Sequence, residues 1–309
     1  MDENGHHKIS GDILEKSAFQ GWGAYFRLMM LFALLSGVVV GLGYLVGGIE
    51  TATMFLGVSL FMNLLAYLFS DKLVLMSTGA KVLSKDESPR LQAIVSSIAA
   101  KAGMKEPRIA IVKSQQPNAF ATGRNAENAV VVTTTGLMDM MTDEEVEAVI
   151  GHEISHVIHK DMLVMTIAVA MATAVSYIAN MIFYSLFWGG YSGRDRREGG
   201  SNLALIGAAI TAPLAATLIQ FAISRGREYY ADEGSALLTK KPSNLVSALT
   251  KIDGFIKRGA RINAPPSTSS LWIMNPFSRM DLVDIFSTHP STAKRIERLR
   301  EIQNSLGTP

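Results

Sequence analysis

The chain has 309 residues, 48% of them apolar and only 18% charged, with a formal net charge of +2. So small a charge, with no basic stripe carrying interleaved aromatics, argues against nucleic acid as a partner. The absence of cysteine excludes disulfides, thiolate metal sites and a cysteine nucleophile.

The apolar excess is concentrated. Residues 28–49, 51–70, 162–193 and 199–224 carry no charged side chain. As helices, these runs are long enough to cross a hydrocarbon core about 30 Å thick. They pair as two hairpins: the first turns at Val46-Gly47-Gly48-Ile49-Glu50, the second through residues 189–201. The first run follows 27 mostly polar residues and is too long for the apolar part of a cleaved signal peptide.

Lys72, Lys81, Lys85, Lys160, Arg225 and Arg227 flank the runs on the side of the polar segments, and the first hairpin loop has no Lys or Arg. That asymmetry supports a cytoplasmic side for the polar segments, and the expected location is a cytoplasmic (inner) membrane with the active site on that side. Arg194, Arg196 and Arg197 in the second loop oppose export. They leave two readings, a full crossing or a hairpin that dips in without spanning; four crossings are expected. The expected organisation is a cytoplasmic N-terminus (1–27), a first transmembrane hairpin (28–70), a first catalytic segment (71–161), a second hairpin (162–224) and a second catalytic segment (225–309).

Within the first polar segment, residues 89–102 have a helical pattern that Gly103 ends, and residues 108–113 and 129–134 read as strands. Residues 117–123 between them read as a further strand or a turn. An exposed sheet edge of this kind can take up substrate backbone by strand addition.

Thr142-Asp143-Glu144-Glu145 starts a helix, with Thr142 as N-cap and Glu145 as its reciprocal partner. Val146, Val149, Ile150, Ile154 and Val157 then recur at helical spacing. Inside this helix lies His152-Glu153-Ile154-Ser155-His156. Residues four apart share a helix face, so His152 and His156 can hold one metal ion, and Glu153 can reach a water on it as general base. A catalytic zinc needs a third protein ligand. His159 lies too close along the same helix to close a tetrahedron. Glu228 and Asp232, four apart after the last apolar run, offer a ligand and a partner for a ligand imidazole. The same two acids also fit a solvated, salt-bridged helix end.

His-Glu-Ile-Ser-His followed by Glu-Tyr-Tyr-Ala-Asp after an apolar run resembles the HtpX family of membrane-bound zinc metalloproteases, relatives of the CAAX prenyl endoprotease. Residues 117–123 (Pro-Asn-Ala-Phe-Ala-Thr-Gly), 137–141, 275–277 and 286–291 resemble family segments in the same order. The resemblance implies one Zn2+ per chain on His152, His156 and Glu228, with Glu153 as general base and Asp232 orienting His152. It implies a substrate strand along Asn118, Ala119, Phe120 and Ala121. It also implies an oxyanion or substrate contact by His289 and Arg295, although the residues themselves equally permit a helix start at His289 and a surface charge at Arg295. The expected fold is mainly α (α+β), a multi-pass membrane protein with two transmembrane hairpins and a zincin-like metalloprotease domain carrying a small β-sheet. The expected function is endopeptidase cleavage of membrane or membrane-proximal proteins, in quality control of misfolded membrane proteins and stress response. Two rivals are an intramembrane protease, which the charges of Asp143, Glu144, Glu145 and Glu147 beside the motif oppose, and a non-catalytic scaffold retaining zinc, which has no need of Glu153.

Overall fold

The computed structural model describes residues 3–188, 225–259, 262–276 and 290–307. Helix α1 (Glu3–Thr78) is broken at Gly47 and Gly48, the latter at φ 68° and ψ −154°, a backbone conformation that residues with a side chain rarely adopt. The two halves fold back on one another: the Asn63 amide donates to Ser36 Oγ at 2.9 Å and to Phe32 O at 3.4 Å. The expected first hairpin and its turn are therefore present, although the helix starts far earlier than residue 28 and runs on past residue 70. Gly23–Gly41 and Gly47–Thr78 are long and apolar enough to cross a membrane. Phe26, Met29, Met30, Leu60, Phe61 and Leu64 stand exposed along them, as a lipid-facing surface requires.

A short antiparallel strand β1 (Lys81–Val82) and helix α2 (Pro89–Lys101) precede the sheet proper. Helix α2 ends as expected, with Gly103 at φ 64°. Strands β2 (Arg108–Val112), β3 (Ala119–Thr122) and β4 (Val130–Thr134) follow. The order is β1-β2-β4-β3, with β2 and β4 parallel and the other pairs antiparallel. The 117–123 segment thus resolves to a strand, and it lies at the sheet edge. Strand β1, only two residues long, has no signal in the sequence.

The sheet is buried on both faces, and the alternation of its side chains shows how. Ile109, Ala119 and Val131 enter a core with Leu91, Val95 and Ile98 of α2 and with Val146, Val149, Ile150 and Ile154 of α4 (Asp143–Ile158). Ala110, Val112, Phe120, Val130 and Val132 point the other way, onto Val74 and Leu75 of α1, Trp272, and Val169 and Ala170 of α5 (Asp161–Trp188). Between β4 and α4 lies the short helix α3 (Thr135–Met140).

Helices α4 and α5 meet at 89°. Lys160 makes the corner at φ 59°, and its ammonium lies 5.8 Å from the Tyr25 ring centroid. Beyond the corner, Leu163, Val164, Ile167, Ala168 and Met171 pack on Ala24, Leu28 and Leu31 of α1. The beginning of the third charge-free run is therefore covered by protein. The loop after α5 and the fourth run lie outside the described residues. Helices α6 (Arg225–Thr239), α7 (Pro242–Lys257) and α8 (Thr292–Leu306) complete the domain around α4.

The start of α4 is fixed by its capping box, Thr142 and Glu145 each bonding the other's backbone N–H. The Glu145 carboxylate also accepts from Ser247 Oγ and Lys251 Nζ on α7, both at 2.6 Å. Burial pushes the Glu145 carboxyl up, but these hydrogen bonds outweigh it and hold the group below the usual glutamate range. A carboxyl whose folded pKa is depressed contributes stability above its unfolded pKa of 4.5 and loses it as pH falls through the lower folded value. Glu145→Gln should therefore cost about 1–3 kcal/mol at pH 7, and that cost should shrink below about pH 4. Unfolding of the detergent-solubilised wild type and variant at the two pH values measures both.

Candidate metal centre

Two helices build the site, and small residues let them approach. At Gly234 a Cβ would lie 2.2 Å from Ser155 Oγ, and at Gly151 it would lie 3.2 Å from Ser235 Oγ. Ser235 Oγ donates to Ala148 O at 2.6 Å across the same contact. This crossing of α4 and α6 sets Glu228 opposite the two imidazoles. His152 Nε2 and His156 Nε2 are 3.2 Å apart. Glu228 Oε2 lies 3.8 Å from His152 Nε2, and Oε1 lies 3.5 Å from His156 Nε2. Ligand atoms about 2.0–2.1 Å from a tetrahedral zinc are about 3.3–3.4 Å from each other, and the three distances bracket that value. Among the described residues, His152, His156 and Glu228 are the group of His and carboxylate side chains able to share a cation, with ligand atoms within 4.8 Å of one another. The residues present therefore fit a zinc ion in donor type and spacing.

Behind His152 is a chain of buried charges. Asp232 Oδ1 lies 2.9 Å from His152 Nδ1. Arg295 forks onto Asp232, Nη2 to Oδ1 at 2.6 Å and Nε to Oδ2 at 2.9 Å. Its Nη1 donates to Ile273 O at 2.8 Å and lies 3.5 Å from Glu228 Oε2. Asp232 and Arg295 are each 1% exposed and His152 is fully covered. Burial, above all, pushes the His152 pKa down to about 4, against the pull of Asp232 and with help from the Arg295 charge. The imidazole is therefore neutral near pH 7. Its Nδ1–H donates to Asp232, which turns the Nε2 lone pair toward His156 and Glu228. Burial would raise the Asp232 carboxyl, but Arg295 and the His152 hydrogen bond hold it below the usual aspartate range.

Glu153 lies beside the cluster, 2% exposed, with Oε1 buried and no hydrogen-bond partner among the described residues. Burial pushes its pKa up to about 7; the charge of Glu228 adds to the rise, while His156, hydrogen bonding from the Ala121 backbone and Arg295 oppose it. A buried carboxyl with one oxygen open beside the cluster suits a group that must take a proton and give it back.

The remaining candidates separate clearly. His159 caps the end of α4, is 7% exposed and stands outside the cluster. Asn118, Ala119, Phe120 and Ala121 lie on or just before the edge strand β3 and are all buried. Burial excludes the surface-charge reading of Arg295, and its fork faces Asp232. His289 lies outside the described residues. Sequence reading missed the contact of Gly234 with Ser155, for which two small residues opposite a motif helix are the only signal. It missed the Arg295–Asp232 pair altogether, because no local pattern links positions 63 residues apart.

The chain is similar to known proteins along most of its length. The model of peptidase family M48 matches residues 85–303. A protease HtpX homolog of Pyrococcus furiosus is 47% identical over 287 residues, covering 93% of this chain and 99% of that protein. Homologs of the same description from Methanocaldococcus jannaschii (46% over 252 residues, 81% and 87% covered) and a Nostoc species (39% over 287 residues, 93% and 99%) are also similar. The crystal structure of S. mikatae Ste24p aligns at a TM-score of 0.43 and 21% identity, over 91% of this chain and 66% of that one. With a family match running from α2 into α8 and relatives aligned nearly end to end, the chain belongs to peptidase family M48.

Proposed function

We propose that this membrane-bound metalloprotease is a zinc endopeptidase that cuts membrane and membrane-proximal proteins at the cytoplasmic face of the inner membrane. The observation that carries the reading is the convergence of His152, His156 and Glu228 from two helices, with the Glu153 carboxylate buried at their side. In this reading the three residues hold one Zn2+. Bound there, zinc would lower the pKa of water toward neutrality and polarise the scissile carbonyl. Glu153 takes the proton from the attacking water at its open Oε1 and later passes it to the leaving amine. Asp232 fixes the His152 tautomer, and Arg295 acts as a positioning residue by holding Asp232 ionised and in place. His289 stays a candidate for oxyanion or substrate contact.

The location supports the substrate class. The two apolar helices of α1 expose a lipid-like surface, and His156 is only four residues from Lys160, which rests on Tyr25 of the first span. The Lys and Arg flanking the apolar runs support a cytoplasmic orientation for both polar segments, 71–161 and 225–309. A site at that height reaches tails and loops of membrane proteins. Misfolded ones expose such segments most, hence a role in quality control under stress. Whether the second hairpin crosses fully changes none of the chemistry.

Metal analysis of the purified full chain with casein cleavage measured alongside tests the reading. Wild type should hold about one zinc per chain. Glu228→Ala should lose both metal and cleavage. Glu153→Gln should keep the metal and lose about 100-fold or more in rate; undiminished turnover in that variant refutes the assignment. A scaffold that merely retains zinc would leave cleavage absent in the wild type as well.

Asp232→Asn should keep the fold's volume but weaken control of the His152 tautomer. Zinc affinity should fall about 10–100-fold, read by competition with a chromogenic chelator. An affinity equal to wild type would remove Asp232 from the site.

A further inference from the structure

The outer edge of β3 is the surface on which an added substrate strand would pair, and much of it is already taken. Pairing with β4 uses Phe120, opposite Val132, and Asn118, whose carbonyl accepts from Thr134 N at 3.0 Å. The backbone groups of Ala119 and Ala121 therefore face outward. At Ala119 both are occupied by the chain itself: its N–H donates to Asn118 Oδ1 at 3.1 Å, and its carbonyl accepts from Ile273 N at 2.9 Å. Asn118 binds the same segment again, Nδ2 to Met274 O at 2.8 Å and Oδ1 from Met274 N at 3.4 Å. At Ala121 no donor among the described residues reaches the carbonyl.

The segment that occupies the edge is firmly anchored. Trp272 is fully buried with its ring edge-on to Phe120, centroids 4.7 Å apart. Ile273 is 2% exposed, and its carbonyl is held by Arg295 at 2.8 Å. Gln116 Nε2 donates to Pro276 O at 3.4 Å. Displacing it would uncover an indole and break a bond to a buried guanidinium.

We propose that residues 272–274 form a permanent wall along the first half of the β3 edge, so that a bound peptide pairs with this strand only at Ala121, next to Glu153. Asn118 then holds the wall and does not touch substrate. The grip on substrate backbone is one residue long, weak and indifferent to sequence, and it suits unfolded segments of many sequences rather than a single recognition motif.

The inference rests on the proposed peptidase reading, and a backbone scan separates the two. The parent is a short casein-derived peptide that the detergent-solubilised full chain cleaves and Glu153→Gln does not; if no such peptide exists, the peptidase reading fails before the wall is tested. Each amide of that peptide is replaced in turn by an ester, which removes one N–H donor and leaves the shape. Apart from the scissile bond, one replacement should lower kcat/KM about tenfold, the loss of a single hydrogen bond to Ala121 O. Two sensitive amides two residues apart would mean that Ala119 is also open to substrate, and the wall would be overturned. Asn118→Ala gives an independent reading. Hydrogen exchange across residues 271–276 should accelerate in that variant; unchanged exchange together with a tenfold rise in KM for the parent peptide would make Asn118 a substrate contact and overturn its role in the wall. Should that variant fail to fold, the ester scan on wild type decides alone.

Discussion

The buried pair between Asp232 and Arg295 joins four segments around the candidate metal centre. Asp232 comes from α6, Arg295 from α8, the imidazole they orient from α4, and the carbonyl at Ile273 from the segment along the sheet edge. Taking two ions out of water costs several kcal/mol each, and only close, multiply bonded geometry offsets it. Here the fork uses both carboxylate oxygens, and the third guanidinium nitrogen finds a carbonyl. Well-packed apolar residues in the same volume would serve stability as well or better. What they would not supply is a fixed Nδ1–H on His152 and an Nε2 lone pair aimed at the other ligand atoms. The pair is best understood as stability forgone for orientation of one ring.

Its cost also explains why α4 and α6 cross so closely. A charge network of this length tolerates little slack, since hydrogen bonds weaken steeply with distance and angle. Gly234 against Ser155 and Gly151 against Ser235 bring the helix backbones together, and the bond from Ser235 Oγ to Ala148 O locks their register. Glu228 and Asp232, one turn apart on α6, then reach opposite sides of the same imidazole: Glu228 meets Nε2 and Asp232 meets Nδ1.

The parts of this arrangement written in short-range pattern were readable from the chain. The α4 helix declares itself through a capping box and a 3.6-residue apolar period, and its two imidazoles follow from spacing. Glu228 and Asp232 share a face by the same rule. Helix α2 has a clear apolar period and a bounding glycine, and strands β2 and β4 are short runs rich in β-branched residues. Arg295 was visible as a residue but not as a partner, because its meaning depends on a contact between distant helices. The wall at Trp272 and Ile273 has no period at all, since irregular backbone is held by specific hydrogen bonds and not by a repeating face. The third charge-free run was ambiguous in principle: lipid and protein interior both select apolar side chains, and only tertiary contacts show that Leu163, Val164 and Ile167 face α1.

That packing ties the reactive helix to the bilayer. Exposed apolar side chains run along the α1 hairpin from Tyr25 and Phe26, past Ile49 near the turn, to Met76 on the returning helix. From Tyr25 to the turn at Gly48 is about 35 Å of helix, close to the thickness of a hydrocarbon core. Lys160 lies over the Tyr25 ring, with its charge placed where an aromatic of the interfacial belt and a cation both stay hydrated. His156 is one helical turn along α4 from that contact, about 6 Å. At Lys160 the chain turns by 89°, so that α5 stays against α1 while α4 turns away from the apolar hairpin and carries Asp143, Glu144, Glu145 and Glu147 away from surroundings in which charge would be costly.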